Sequence, residues 1–264
     1  MPRWWVGAWL LAVLAGLFPG VACAGGSEQE LTVFAASSLT NAFQEVGEAF
    51  EVEHPGVQVV FNFAGSSTLR AQLEQGARAD VFAPADQRQM ELARQAGRVL
   101  GQPQPFATNR LVVITSLKGG GVRSLADLAL PGVKVVLALP EVPAGRYARE
   151  VLARLAASPE LPDDFAARVL GNVVSEEINV RQVFTKVALG EADAGIVYAT
   201  DITPQVEGQV RALAIPEAYN VTALYPVATV RERGGSATAE AFVAFLRSPA
   251  GQAVLQRHGF GEAP

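Results

Sequence analysis

Leu31-Thr32-Val33-Phe34-Ala35-Ala36-Ser37-Ser38-Leu39-Thr40-Asn41-Ala42-Phe43-Gln44-Glu45-Val46 is the stretch on which the reading of this chain turns. Leu31 to Ala36 is apolar and of strand length. From Leu39 to Glu53, the residues Phe43, Val46, Ala49 and Phe50 recur at the spacing of one buried helix face. Only small residues and hydroxyls lie between the two, so a strand runs almost directly into a helix, which is half of a βα unit.

The same alternation repeats along the chain. Pro55-Gly56 ends the first helix, Val57 to Ala64 reads as the second strand, and Thr68 to Glu74 as a helix stopped by Gly76. Asp80 to Ala83 is a short buried strand, and Asp86 with Gln89 three residues on opens a capping box for a helix ending at Gly97. Gln102 to Asn109 holds two prolines and no periodicity, and it leads into Leu111 to Thr115, a β-branched run that can cross between two sheets. Val133 to Leu139 starts a fresh series, with helices at Arg146 to Ala156 and Val180 to Leu189 and a strand at Ala194 to Tyr198. Leu224 to Val230 is strand-like again, and Thr238 to Gln256 is helical. The fold class is therefore α/β. The order suggests one lobe inserted in another, with 31–110 plus 223–264 forming the first and 111–222 the second; a single doubly wound sheet is the simpler alternative.

Composition restricts the function. Hydrophobic residues make up 50% and charged residues 18%, with a net charge of −5, as in a compact globular protein. No basic stripe interleaved with aromatics is present, so a nucleic-acid partner is not expected. Arg3, the apolar run from Trp4 to Phe18, Pro19-Gly20 and Ala22-Cys23-Ala24 read as a secretory signal peptide over residues 1–24. Cleavage after Ala24 would remove the one cysteine of the chain. Val21-Ala22-Cys23 also resembles the end of a lipobox, which would make Cys23 a lipid anchor. Either route leads to the periplasm or another extracytoplasmic space. Without a cysteine nucleophile in the mature part, and with His54 and His258 each beside a helix end, an enzyme is not expected. Neither a cofactor nor a directly coordinated metal is expected.

In open α/β sheets, ligands collect where strands end and helices begin. Five such junctions stand out: Ala36 to Asn41, Ala64 to Thr68, Pro140 to Gly145, Glu177 to Val180, and Tyr198 at the end of its strand. A helix start leaves backbone N–H groups without intrahelical partners, and the helix dipole adds about half a positive charge there. An anion satisfies both without any lysine or arginine. That suits an acidic protein, whose overall field repels anions. Serine is also a favoured N-cap, so capping alone would account for either serine junction. Within Ser37-Ser38 and Ser66-Ser67, spacing does not select the donor.

Val33 to Ala42, Phe63 to Leu69, Ala79-Asp80-Val81-Phe82, Pro140 to Ala148, Val180-Arg181 and Gly195 to Tyr198 together resemble, in order, the signatures of the periplasmic molybdate-binding proteins. The resemblance runs from about residue 31 to Phe260. It implies a two-lobed type II periplasmic binding-protein fold, with each lobe a mixed, mostly parallel sheet flanked by helices and a ligand cleft between them. It implies an ABC permease and ATPase as partners, a monomeric binding component, and molybdate or tungstate as ligand. Residue by residue, Ser38 and Ser66 match the ligand serines, Ala144 and Val180 match positions donating backbone N–H, and Tyr198 matches a tyrosine donating its hydroxyl. Sulfate, phosphate and thiosulfate remain alternative ligands, and a sensor or adhesion module is a further class. Arg70, Arg146 and Arg181 are expected on solvated helix faces.

Overall fold

The computed structural model describes residues 1–2, 29–119, 121–204, 206–231 and 235–264. Apart from its first two residues, the leader read over 1–24, with Cys23, lies outside them. In chain order the elements are β1 (Gln29–Ala36), α1 (Thr40–Glu53), β2 (Val57–Ala64), α2 (Ser66–Glu74), β3 (Val81–Ala83), α3 (Gln87–Gln95), β4 (Gln104–Ser116) and β5 (Val135–Ala138). They continue with α4 (Pro143–Leu155), α5 (Phe165–Gly171), β6 (Val173–Glu177), α6 (Val180–Leu189), β7 (Ala194–Tyr198), β8 (Val210–Ala214), β9 (Thr222–Thr229), α7 (Ala237–Arg247) and α8 (Pro249–Arg257).

The strands lie in the order β2-β1-β3-β9-β4-β7-β5-β6, with β8 also on β4. In the first lobe β1 pairs parallel with β2 and β3, and β9 closes the group antiparallel. In the second lobe β5 pairs parallel with β6 and β7, while β4 adds antiparallel to β7 and to β8. Each lobe is thus a mixed sheet with a parallel core flanked by helices, and the chain has the two-lobed type II fold.

Side-chain alternation along β1 explains the layering of the first lobe. Leu31, Val33 and Ala35 face α1, where Phe43, Val46 and Phe50 are fully buried. Phe34 points to the opposite face and packs with Leu69 and Leu73 of α2. Successive strand residues project to opposite faces, so both faces of this strand are covered and its run is apolar throughout. Burying one such phenylalanine stabilises the fold by about 1.5–3 kcal/mol.

β4 joins the lobes. Its first part, Gln104 to Arg110, pairs with β9, and its second part, Leu111 to Ser116, pairs with β7 and β8. The aperiodic reading of Gln102 to Asn109 is therefore corrected: six of those residues are strand. Pro105 lies opposite Pro226, with a register shift just after it. Proline lacks an N–H, which weakens the ladder there and hides the strand from pattern reading. The single helix expected over Thr238 to Gln256 is also corrected. Ser248 ends α7 and caps α8 by accepting from Gly251 N at 3.2 Å, with Pro249 at the first helical position, where its missing N–H is harmless.

Candidate functional site

Four helix starts meet in the cleft, and three of them begin without a side-chain cap. Asp86, Ser236 and Ser248 cap α3, α7 and α8 with side-chain oxygens. By contrast, the 3-10 turn Ser37–Leu39 that precedes α1, and the helices α2 and α4, begin at Ala36, Gly65 and Val142, with no side-chain cap. α6 is capped by Asn179, which accepts from Gln182 N at 3.0 Å and so leaves the N–H of Val180 outside that bond. The capping explanation for the serines therefore fails: Ser66 is the first residue of α2, not its cap. α2 begins two residues earlier than the sequence pattern suggests, and α4 begins three earlier, at Pro143, which puts Ala144 in its first turn.

Ser38, Ser66, Ala144, Val180 and Tyr198 all line one small cavity between the lobes. It holds about 10 Å³ of space for the centre of a water-sized sphere, roughly the space that one such sphere needs. Ser37 and Gly65 also line it, whereas Ser67 does not. No Lys, Arg, Asp or Glu is among the lining residues. Each of the five is nearly fully enclosed, the most exposed being Ser38 at 4%.

Local contacts decide what these lining groups have to offer. The Ser66 hydroxyl oxygen accepts the Ala85 N–H at 3.0 Å. An amide can only donate, so the Ser66 proton is free for the cavity. Among the described residues the Tyr198 hydroxyl is buried with no hydrogen-bond partner, and burial holds its phenol well above the ordinary range, so it stays protonated. Gly145 is required by close approach: a Cβ there would sit 2.1 Å from the Leu139 carbonyl oxygen and 2.2 Å from that of Ala138. Only glycine lets the start of α4 settle on the end of β5, where Ala144 lines the cavity.

Ties across the cleft surround this cavity. Arg181 of α6 donates from Nε to the Ser37 carbonyl at 2.7 Å and from its terminal nitrogen to Asn41. Arg146 of α4 meets Asp86 at 3.1 Å. Gln89 donates to the Glu141 carbonyl at 2.8 Å and accepts from Arg70 at 2.9 Å. Arg146 and Arg181 are thus not on solvated faces, as expected from sequence, but bridge the lobes. The capping box is half made: Asp86 accepts from Gln89 N at 2.7 Å, while the Gln89 side chain crosses the cleft instead of returning. His258 pairs with Glu45 at 2.7 Å, and His54 stacks on Phe50 with ring centroids 3.9 Å apart, so both serve structure.

Asp201 escaped the sequence reading. It is buried, accepts the Tyr198 N–H at 3.0 Å through one oxygen, and leaves the other without a partner among the described residues. Burial pushes its carboxyl up to about 7, against the opposing pull of Arg181.

Residues 31–261 match the family model described as bacterial extracellular solute-binding protein. The chain belongs to that family. Among relatives of this solute-binding protein, the molybdate-binding protein ModA of Mycobacterium tuberculosis is 39% identical, over 98% of this chain and 99% of its own length. The ModA protein of Escherichia coli is 36% identical over the same shares of each. In structure, the periplasmic molybdate-binding protein of Azotobacter vinelandii superposes with a TM-score of 0.74 at 24% identity, covering 89% of this chain and all of the other. Among the described residues no helix is long and apolar enough to cross a membrane.

Proposed function

We propose that this protein captures molybdate outside the cytoplasm and delivers it to the permease and ATPase of an ABC importer. The observation that carries the reading is the small cavity between the lobes, lined by neutral groups that include Ser38, Ser66, Ala144, Val180 and Tyr198; in this reading those five donate to the oxygens of one tetrahedral anion. Hydrogen bonds to a charged group contribute roughly 1.5–3 kcal/mol each. About five to seven of them outweigh the ordering and desolvation costs and leave micromolar or tighter binding, about 8 kcal/mol or more. Relatives named for molybdate at 39% and 36% identity support this anion over others.

Tungstate, of nearly the same size and the same charge, belongs to the same reading. Sulfate is smaller and would leave some donors out of reach in a rigid cage, where unpaired buried donors are costly. In this reading the protein is a monomeric binding component and not an enzyme, exported by its leader or anchored through Cys23. We place the lobe boundaries at the change of partners along β4, giving 31–110 plus 223–264 and 111–222. Calorimetric titration of the mature chain with molybdate, tungstate, sulfate and phosphate tests the proposal. Tight binding of molybdate and tungstate is expected; tight sulfate binding with none of molybdate would sink it.

A further inference from the structure

Ser38 and Ser66 are alike in sequence context but not in how their protons are directed. Ser66 accepts from a main-chain amide, which settles its polarity. The Ser38 oxygen instead lies 3.0 Å from the Tyr225 hydroxyl, and either of those two could donate. What lies behind Tyr225 decides the matter. The Asn109 side chain accepts the Arg110 N–H at 2.9 Å through its oxygen, so its nitrogen is the atom facing Thr200 and Tyr225. That nitrogen donates to the Thr200 hydroxyl at 2.8 Å and to the Tyr225 oxygen at 3.4 Å, using both of its hydrogens. Tyr225 accepts from Asn109, and among the described residues Ser38 is the acceptor within hydrogen-bond distance of its proton, so Tyr225 gives that proton to Ser38. The Ser38 proton is then left to point into the cavity.

We infer that Tyr225, held by Asn109, is a positioning residue that fixes Ser38 as a hydrogen-bond donor and so selects fully deprotonated tetrahedral anions over protonated ones. The relay spans the molecule: Ser38 follows β1, Asn109 and Tyr225 sit on the paired strands β4 and β9, and Thr200 follows β7. Tyr225 is fully enclosed, and its ring meets that of Tyr198 edge-on with centroids 5.8 Å apart. Burial holds its phenol far above the ordinary range, so it keeps the proton it donates. A hydrogen phosphate ion carries an O–H that needs an acceptor. Ser38 and Ser66, each with its oxygen already accepting a hydrogen bond from behind, present protons and offer none, so the O–H of that ion is disfavoured at both.

This inference rests on the proposed anion-binding role, and a double-mutant cycle separates the two. Wild type, Tyr225→Phe, Ser38→Ala and the double variant are titrated with molybdate and with phosphate at pH 8, with the folded state of each checked by thermal melting. Tyr225→Phe should weaken molybdate binding by about tenfold and narrow the molybdate-to-phosphate ratio by at least as much, because Ser38 is then free to turn and accept. In the Ser38→Ala background the same change should cost less than about twofold, the non-additivity of two groups acting as one. An unchanged affinity in Tyr225→Phe, or equal losses in both backgrounds, would overturn the inference. Wild type that takes sulfate and not molybdate would defeat the proposed ligand instead, and the cycle is then run with sulfate. Should Tyr225→Phe not fold, Asn109→Asp tests the same relay: an acceptor at 109 takes the Tyr225 proton and reverses Ser38, so the selectivity ratio should fall there too, and an unchanged ratio overturns the inference.

Discussion

The two lobes supply the cavity in different ways. The first offers side-chain hydroxyls, Ser38 and Ser66, each with its oxygen engaged by a donor behind it. The second, in the proposed site, offers main-chain N–H groups at the starts of α4 and α6, with Tyr198 as its one side-chain donor among the five. Hydroxyl donors are set by residue identity and can be removed singly. Amide donors are set by where a helix begins, so only a change that moves the helix can remove them.

That contrast can be broken most severely from the first lobe. Ser38→Ala combined with Ser66→Ala should lower molybdate affinity by about a thousandfold or more, two charge-assisted bonds lost, with a melting temperature lower by several degrees because the Ala85 N–H and the Tyr225 hydroxyl lose their acceptors; calorimetry and thermal melting together check it. The second lobe calls for a backbone change. Gly145→Ala should push the start of α4 away from β5, with roughly a hundredfold loss of affinity and a melting temperature lower by several degrees, since a Cβ at 2.1 Å from a carbonyl oxygen cannot be accommodated in place. If affinity falls while stability holds, the amide geometry alone is responsible.

Removing a tie between the lobes should matter less. Arg181→Ala should raise the dissociation rate and weaken binding by about tenfold, as read by stopped-flow fluorescence, because the bonds to Ser37 and Asn41 favour closure without touching the anion. Complete loss of binding with the fold intact would overturn the view that neutral donors suffice. The smallest effect is a pH dependence of stability. Asp201 holds its proton up to about 7 in the folded chain and to only about 4 when unfolded. A raised carboxyl favours the folded state fully at low pH, and that contribution is lost as pH rises from about 4 through 7. Asp201→Asn keeps an acceptor for the Tyr198 N–H without the charge. Its melting temperature should exceed that of wild type by a few degrees at pH 8, with the gap closing near pH 5.

How much of this was legible beforehand depended on range. β1, β2, β7 and α6 follow from apolar runs and local stops, and Ser38, Ser66, Ala144, Val180 and Tyr198 stand at junctions that resemblance could pick out. They line one cavity. The first half of β4 was hidden by Pro103 and Pro105, and α5, β6 and β8 are short, with no strong period of their own. The long-range contacts of Asn109, Asp86, Arg181 and Tyr225 were beyond reach for another reason. Their roles depend on partners 60 or more residues away, such as Arg146 for Asp86 and Ser37 for Arg181, which no local pattern encodes.

The buried hydroxyl of Tyr198 bears on how an importer could avoid wasted work. Closing the lobes around nothing would leave this donor, with those of Ser38 and Ser66, sealed from water and unanswered, at a cost of about 1–3 kcal/mol each. Empty carriers are thereby discouraged from wearing the shape of loaded ones. A membrane partner that responds to the closed outline would then be reading cargo, and the message would be written by the very atoms that hold it.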